Sequence, residues 1–303
     1  MRIDCHNDTQ LFLAEQPSLA VLPQAHLDYE RLREYLDVAF FGLWVEQKTY
    51  AGQVTAEFRK ALTRLRQDIL SQGDITLLCH RKQLAHPTGP MILLGMEGAE
   101  PLEDDCALLD EYFAQGLRLI GPAWNYNTRY AGGAFEQGEI TSQGEVLIRR
   151  CNAMGILLDG AHLNDGSFQD LLLLSEKPVI DSHTVCRHLC GDYPRSISDR
   201  QLEDLAEKGG VACMTMVPDF LGGKGDLAEF CRHVDYAVTL IGAEHVGIGA
   251  DYDGTTMAED LAGVQHLPAV YAGLRQRGLT DEQIAAVAGD SVARLLQEVL
   301  PEE

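Results

Sequence analysis

Short runs of apolar residues recur along the chain and alternate with longer segments of mixed polarity. The short runs are rich in branched side chains, which is typical of buried strands in a parallel sheet. The segments between them repeat apolar residues three and four positions apart, the period of an amphipathic helix. Eight strands are predicted, at residues 3–8, 38–45, 91–97, 117–124, 156–162, 178–183, 210–217 and 245–251.

Helices are predicted between these strands and after the last one. They span residues 56–70, 104–115, 142–154, 167–175, 199–208, 227–241, 267–276 and 281–299. Eight strand–helix units close into a barrel, so we expect an α/β fold of the (β/α)8 or TIM barrel type with extra peripheral helices at the C-terminus. No fixed-period repeat and no proline-rich or serine-rich linker divides the chain, which predicts one barrel domain over residues 1–303.

Charge argues against two classes of partner. The chain has 46 Asp and Glu residues against 24 Lys and Arg residues, a formal charge of −22. Nucleic acids and anionic membranes repel such a chain, so neither is an expected partner. No apolar run reaches the ~18–20 residues that cross a bilayer, and no apolar leader precedes the first strand, so we expect a cytoplasmic protein. The eight cysteines form no close Cys-x-x-Cys pair, which favours reduced thiols.

Polar residues stand at the ends of several predicted strands, where packing gives no reason for them. Those that can bind a metal ion or move a proton are His6, Asp8, Glu97, His162, His183 and Asp251. In a barrel of parallel strands all carboxyl ends open onto one face, so residues distant in sequence converge there. We therefore expect these side chains to form one site.

The donor atoms of this expected site suit Zn²⁺ or a similar divalent ion. His6 and Asp8 are two residues apart and would project to the same side of an extended strand. Imidazole nitrogens and carboxylate oxygens are ligands that zinc accepts. The five residues other than Asp251 could hold two metal ions if Glu97 bridges them.

One connection is unusually long and rich in glycine. Residues 125–143 follow the fourth predicted strand and are too long for a routine turn. We interpret them as a candidate active-site loop, with a surface excursion as the alternative.

Five short motifs contain the polar residues of the expected site. They are His-Asn-Asp at 6–8, Gly-Met-Glu-Gly at 95–98, Leu-Asp-Gly-Ala-His at 158–162, Lys-Pro-Val-Ile-Asp-Ser-His at 177–183 and Gly-Ile-Gly-Ala-Asp-Tyr-Asp-Gly at 247–254. In this order they resemble the membrane (renal) dipeptidase family, peptidase family M19 of the amidohydrolase superfamily. The resemblance extends to Pro-Arg-Ser-Ile-Ser-Asp at 194–199 and to residues 284–296, and so covers nearly the whole chain.

The resemblance implies a role for each position. The zinc ligands would be His6 and Asp8 for the first ion, His162 and His183 for the second, and Glu97 as the bridge. Asp251 resembles the family's acid/base aspartate, and Arg195 resembles the arginine that holds the terminal carboxylate of the substrate. The implied activity is hydrolysis of dipeptides, including those with a D-residue at the C-terminal position, by a hydroxide between two Zn²⁺ ions.

One position departs from the family pattern. The fourth strand of the family commonly ends in Thr-His-Asn, whose histidine contacts the substrate near the scissile carbonyl, whereas this chain has Ala123, Trp124 and Asn125. An indole donates one hydrogen bond and transfers no proton. Trp124 would therefore line the pocket or donate to an oxyanion, with Asn125 beside it at the substrate. The departure bears on the substrate and not on the metal ligands.

Two other functions compete with the dipeptidase interpretation. The first is a related amidohydrolase that acts on another small amide or a lactone, which the exchange at Trp124 favours. The second is a catalytically silent metal-binding barrel, which is disfavoured because metal storage has no need of Asp251. A small dipeptide is the expected partner, and a homodimer is compatible with the sequence.

Overall fold

Parallel strands form the centre of the fold. The computed structural model describes residues 1–103, 106 and 108–303, and within them it has ten strands that pair in parallel. They are β1 Ile3–Asn7, β2 Val38–Leu43, β3 Thr76–Leu77, β4 Met91–Glu97, β5 Leu117–Gly121, β6 Leu157–Leu158, β7 Ile180–Cys186, β8 Ser196–Ile197, β9 Val211–Met214 and β10 Val246–Ile248.

Eight of these strands close into a barrel. Hydrogen bonding gives the order β1-β2-β4-β5-β6 in one sheet and β7-β9-β10 in the other. Single bridges between Asp159 and Ile180, and between Asn7 and Tyr252, join the two sheets on both sides. The two-residue strands β3 and β8 pair with β4 and β7. The predicted (β/α)8 barrel is confirmed.

All eight predicted strands are present, although most are shorter than predicted. The largest difference is at β6, which ends at Leu158 and not at His162. Asp159 explains this early end, because its Oδ1 accepts the backbone N–H groups of Ala161 and Ser182, both at 3.0 Å. A side chain thus replaces hydrogen bonds that would continue the strand pairing. β7 differs in the opposite sense, since it continues past His183 to Cys186.

Helices follow the strands along the chain. They are α1 Tyr29–Tyr35, α2 Val54–Ser71, α3 Arg81–Ala85, α4 Leu108–Ala114, α5 Ser142–Met154, α6 Asp165–Leu174, α7 Arg187–Cys190, α8 Asp199–Glu207, α9 Pro218–Leu221, α10 Leu227–Ile241, α11 Leu267–Gln276, α12 Asp281–Ala285 and α13 Ser291–Val299. Short 3₁₀ turns lie at Thr9–Ala14, Glu100–Leu102, Ala243–His245 and Val264–His266. In the described residues, none of these helices is both long and apolar enough to cross a membrane.

The predicted helix boundaries are accurate at some places and wrong at others. The predicted spans 142–154, 227–241 and 267–276 are confirmed at both ends. The start of the predicted helix 104–115 lies outside the described residues. The predicted helix 281–299 is divided by a π-turn at Ala286–Asp290. At this turn Gly289 lies against Met1 and Ile3, where a Cβ would not fit.

Apolar side chains fill the barrel at the amino ends of its strands. Alternate strand residues such as Cys5, Phe40 and Leu93 pack in one cluster with Val292 and Leu295 of α13. α13 therefore closes this end of the barrel. A larger apolar cluster packs the helices against the outside of the strands. Polar groups can consequently gather inside the barrel only at the carboxyl ends of the strands.

Gly249, which follows β10, lies very close to the backbone of β7. A Cβ at Gly249 would overlap the backbone oxygen of Ser182, whereas a Cβ at Gly121 would have no neighbour nearer than 3.7 Å. Gly249→Ala is expected to lower the free energy of unfolding by about 1–3 kcal/mol because the backbone must shift. Gly121→Ala is the matched control and should have a much smaller effect. Equal urea midpoints for the two variants would show that residue 249 accommodates a Cβ, contrary to this expectation.

Candidate metal centre

Six of the predicted site residues meet at the carboxyl end of the barrel. His6 lies on β1, Asp8 follows β1, Glu97 ends β4, His162 follows β6, His183 lies within β7 and Asp251 follows β10. Their side chains are only 2% to 14% exposed. The structure therefore brings together, in a nearly closed space, side chains that are far apart in the sequence.

Glu97 lies at the middle of this group. Its Oε2 is 3.7 Å from His6 Nε2. Its Oε1 is 2.7 Å from His162 Nε2 and 3.7 Å from His183 Nε2. One oxygen of this carboxylate thus faces His6, and the other faces His162 and His183.

The first group surrounds the His6 ring. His6 Nε2 is 3.7 Å from Asp8 Oδ2 and 3.8 Å from Asp251 Oδ1. These distances are too long for hydrogen bonds, and the buried His6 Nε2 has no hydrogen-bond partner. Such an atom is costly unless a ligand satisfies it. His6, Glu97 and His183 could hold a metal ion, as could His6, Asp8 and Asp251.

The second group consists of two facing imidazoles. His162 Nε2 is 2.8 Å from His183 Nε2. On its far side, His162 Nδ1 is 2.7 Å from Asn125 Oδ1, so a neutral ring donates its proton there and directs the Nε2 lone pair at Glu97 and His183. His183 Nδ1 contacts Ser182 Oγ at 2.9 Å. Histidine ligands of metals are commonly held by such a hydrogen bond at their other nitrogen.

Burial sets the charge states of these groups. It lowers the pKa of His162 and of His183 well below the ordinary value, so both rings are neutral and can act as ligands. Burial opposes the charge on His6, but Glu97 and the other nearby carboxylates raise its pKa to about 10. Burial also raises the pKa of Glu97 well above its usual range and that of Asp251 to about 6. The carboxylates are thus short of positive charge, which a divalent cation would supply.

The backbone is left-handed at two of the site residues. His162 and Asp251 both have φ near 66°, and Asp253 follows with φ 68°. Residues other than glycine adopt this conformation at a cost of about 1–3 kcal/mol, and such residues cluster at functional sites. Asp253 fixes the loop, because its carboxylate accepts the His26 N–H and the Thr9 hydroxyl, both at 2.6 Å. These contacts hold Asp251 in the site.

Arg195 lies behind His183. It is 4% exposed, its Nη2 donates to the backbone oxygen of His183 at 3.1 Å, and its buried Nε has no partner. In the described part of the chain it forms no ion pair within 4 Å. Burial lowers the pKa of Arg195, whereas Asp181 and Glu97 raise it from beyond ion-pair distance. Its unpartnered Nε is therefore suited to binding a carboxylate.

Trp124 and Asn125 have different surroundings, although they are adjacent. The Trp124 ring is 5.7 Å from the His162 ring and 4.8 Å from the Trp44 ring, so it forms a wall beside the metal centre. Asn125 is 9% exposed and orients His162. The long loop 125–143 therefore contributes to the site through its first residue.

Three contributors to the site were missed by the sequence interpretation. Gly42 leaves room for the His6 ring, since a Cβ there would overlap it. Ser182 contacts His183, and Asp253 holds the loop of Asp251. Ser182 and Asp253 lie inside the quoted motifs, which was the available signal, whereas nothing in the sequence marks Gly42.

Comparison with known sequences identifies relatives over two thirds of the chain or more. The family model described as membrane dipeptidase (peptidase family M19) matches residues 1–301. A Klebsiella pneumoniae protein, named only as an uncharacterized protein in the pqqA 5′ region, is 30% identical over 223 residues, which are 69% of this chain and 80% of that protein. Mouse dipeptidase 3 is 25% identical over 316 residues, and the match covers 98% of this chain but 64% of the mouse protein.

Solved structures share the fold. The crystal structure of dipeptidase AC, a metallopeptidase of family M19, has a TM-score of 0.92 at 25% identity, with 98% of both chains covered. A Rhodobacter sphaeroides metallopeptidase, solved with a phosphinate mimic of L-Ala-D-Ala, has a TM-score of 0.88 at 24% identity, with 98% of this chain and 99% of that chain covered. The family match over nearly every residue agrees with the geometry of the metal centre. This chain belongs to the membrane dipeptidase family, peptidase family M19, and is a metallo-dipeptidase of that family.

Proposed function

We propose that this chain is a dinuclear zinc dipeptidase that accepts dipeptides with either an L- or a D-residue at the C-terminal position. The observation that carries the proposal is the position of Glu97, whose Oε2 faces His6 and whose Oε1 faces His162 and His183. One zinc site would consist of His6, Asp8 and Glu97 Oε2. The other would consist of His162, His183 and Glu97 Oε1.

The donor groups fit two such ions. His6 Nε2 is buried without a partner, and the lone pair of His162 Nε2 points at a carboxylate and a second imidazole. A cation at each place would satisfy acceptors that now face one another. Zinc bound there supplies Lewis acidity to the substrate carbonyl and makes a coordinated water acidic enough to act near neutral pH.

Asp251 is the acid/base group in this proposal. Its Oδ1 lies 3.8 Å from His6 Nε2, at the edge of the first zinc site. A carboxylate in this position can accept a proton from the attacking water and deliver it to the leaving amine. The left-handed backbone and the contacts of Asp253 keep the Asp251 carboxylate in place.

Arg195 is proposed to bind the terminal carboxylate of the dipeptide. Arg195→Met is expected to lower kcat/KM for L-Ala-L-Ala by about 10- to 100-fold, mainly through KM, because hydrogen bonds to a charged group are each worth about 1.5–3 kcal/mol. Bound zinc should not change. The control substrate is L-Ala-L-Ala amide, which lacks the carboxylate. The assignment would be wrong if the variant lost activity equally on both substrates.

The proposal also covers the partners of the enzyme and the compartment in which it acts. The charge of −22 disfavours nucleic acids and anionic membranes as partners. The eight cysteines are free, which suits a reducing compartment. We propose a cytoplasmic enzyme that acts on free dipeptides and whose single barrel domain spans residues 1–303.

The proposal is tested by measuring zinc content and substrate range on the same preparation. We expect two zinc ions per chain and hydrolysis of L-Ala-L-Ala and of L-Ala-D-Ala, the dipeptide whose mimic the Rhodobacter protein binds. Activity confined to N-acetyl-alanine or to small lactones would favour another amidohydrolase. Bound zinc without hydrolysis of any substrate would indicate a silent barrel, and a single zinc ion would contradict the dinuclear site.

A further inference from the structure

A cavity of about 290 Å³ lies beside the metal centre, on the side of Trp124. Its walls include three aromatic rings and three carboxylates, those of Trp44, Trp124, Tyr126, Glu46, Glu100 and Glu136. The ring centroids of Trp124 and Tyr126 are 6.1 Å apart, and Trp124 also borders His162. The Trp124 indole therefore borders both the cavity and the metal centre.

The carboxylates of this cavity lack cationic partners. Among the described residues, none of Glu46, Glu100 and Glu136 forms an ion pair within 4 Å. Their hydrogen bonds come from neutral donors: Glu136 accepts the Asn127 N–H at 2.7 Å, Glu100 accepts the side-chain amide of Gln47, and Glu46 accepts groups of its own turn. Burial raises the pKa of Glu100 to about 7. The lining thus has three carboxylates and a single cation, Lys48.

One cation of the chain, Lys48, is among the residues that line the cavity. Lys48 Nζ is 4.9 Å from the centroid of the Tyr126 ring, a cation–π distance. Lys48 is exposed and forms no ion pair in the described part of the chain. Its long stem can move into solvent without losing a charged partner. The Tyr126 face is therefore available to another cation that enters the cavity.

The order of strands places the cavity opposite Arg195. Trp44 follows β2, Glu100 follows β4 and Trp124 follows β5, which are neighbours on one side of the barrel. Arg195 follows β7, on the other side of the metal centre. A dipeptide whose carboxylate contacts Arg195 and whose peptide bond lies at the metals directs its N-terminal residue toward the cavity.

We infer that this cavity binds the side chain of the N-terminal residue and selects a cationic one, arginine or lysine. The inference rests on the proposed dipeptidase function. Aromatic faces with carboxylates at their edges recognise organic cations, and a planar guanidinium can stack on an indole while it donates to a carboxylate. Aromatic walls alone would accept any apolar residue, whereas the three carboxylates disfavour an acidic one.

The test compares L-arginyl-L-alanine with L-citrullinyl-L-alanine. The two side chains have nearly the same length and shape, but citrulline is neutral. We expect kcat/KM for the arginine substrate to be higher by about tenfold or more, and glutamyl-alanine to be the poorest of the three. Equal values for arginine and citrulline would overturn the inference and leave the proposed function intact. Failure to hydrolyse any dipeptide would overturn the proposed function itself.

The ratio of kcat/KM for the arginine substrate to kcat/KM for the citrulline substrate should fall in some variants of the cavity and rise in another. Glu100→Gln and Glu136→Gln should each lower the arginine-to-citrulline ratio by about 3- to 10-fold, and Lys48→Met should raise it because a competing cation is removed. Glu298→Gln on α13 removes the same charge at an exposed position far from the cavity and is the matched control. Since Glu136 is exposed, its variant keeps the test valid if Glu100→Gln misfolds. Ratios unchanged in both cavity variants would contradict the inference.

Discussion

Replacing Asp251 with asparagine is expected to leave bound zinc near the content of the unchanged chain while kcat falls by about 10²- to 10⁴-fold, the usual contribution of general acid/base catalysis. The amide has nearly the shape of the carboxylate but cannot accept and return a proton. Zinc content by atomic emission and kcat on L-Ala-L-Ala, measured on one preparation, check the two halves of this expectation.

The zinc measurement also separates two roles for Asp251. His6, Asp8 and Asp251 lie close enough together to hold a metal ion, so Asp251 could instead be a ligand. Loss of zinc in Asp251→Asn would indicate that second role, and full turnover would reject the acid/base assignment. Asp192→Asn is the control, because this aspartate side chain is 96% exposed.

Removing Glu97 or His183 should lower zinc binding and abolish activity together. Glu97→Ala is expected to lower the occupancy of both zinc sites, because one of its oxygens faces His6 and the other faces His162 and His183. His183→Ala should empty the second site first, and hydrolysis should fall to background in both variants. The measurements are zinc per chain and kcat/KM.

A milder variant and a control complete this series. Asn125→Ala removes the hydrogen bond that orients His162 and is expected to weaken zinc binding by about 10- to 100-fold without abolishing it. His188→Ala removes an imidazole that is 60% exposed and should change neither quantity. A His183→Ala protein that retained two zinc ions would refute the proposed ligand set.

The barrel could be predicted because its strands and helices differ in period. Each parallel strand is a short apolar run, and helices such as α5 and α10 repeat at helical spacing between defined caps. Convergence of the site followed from the same prediction, since the carboxyl ends of barrel strands share one face. The sequence pattern alone was therefore enough to predict that His6, Glu97 and Asp251 lie at this face.

Features that depend on tertiary contacts were not predictable. β6 ends early because the Asp159 side chain takes two backbone amides, one of them from a different strand. His162 is consequently in a left-handed turn and not at a strand end. Likewise Glu100 and Trp124 share a cavity only because β4 and β5 are neighbours, and their distance in the sequence gives no sign of it.

α13 closes the amino end of the barrel beneath the metal centre. In the described part of the chain the barrel interior is filled at that end, so the substrate and both product amino acids pass through the carboxyl face. Free amino acids that accumulate in solution should therefore bind at the metal centre again and compete with the dipeptide. The rate of hydrolysis should fall as these products build up, even at high substrate concentration.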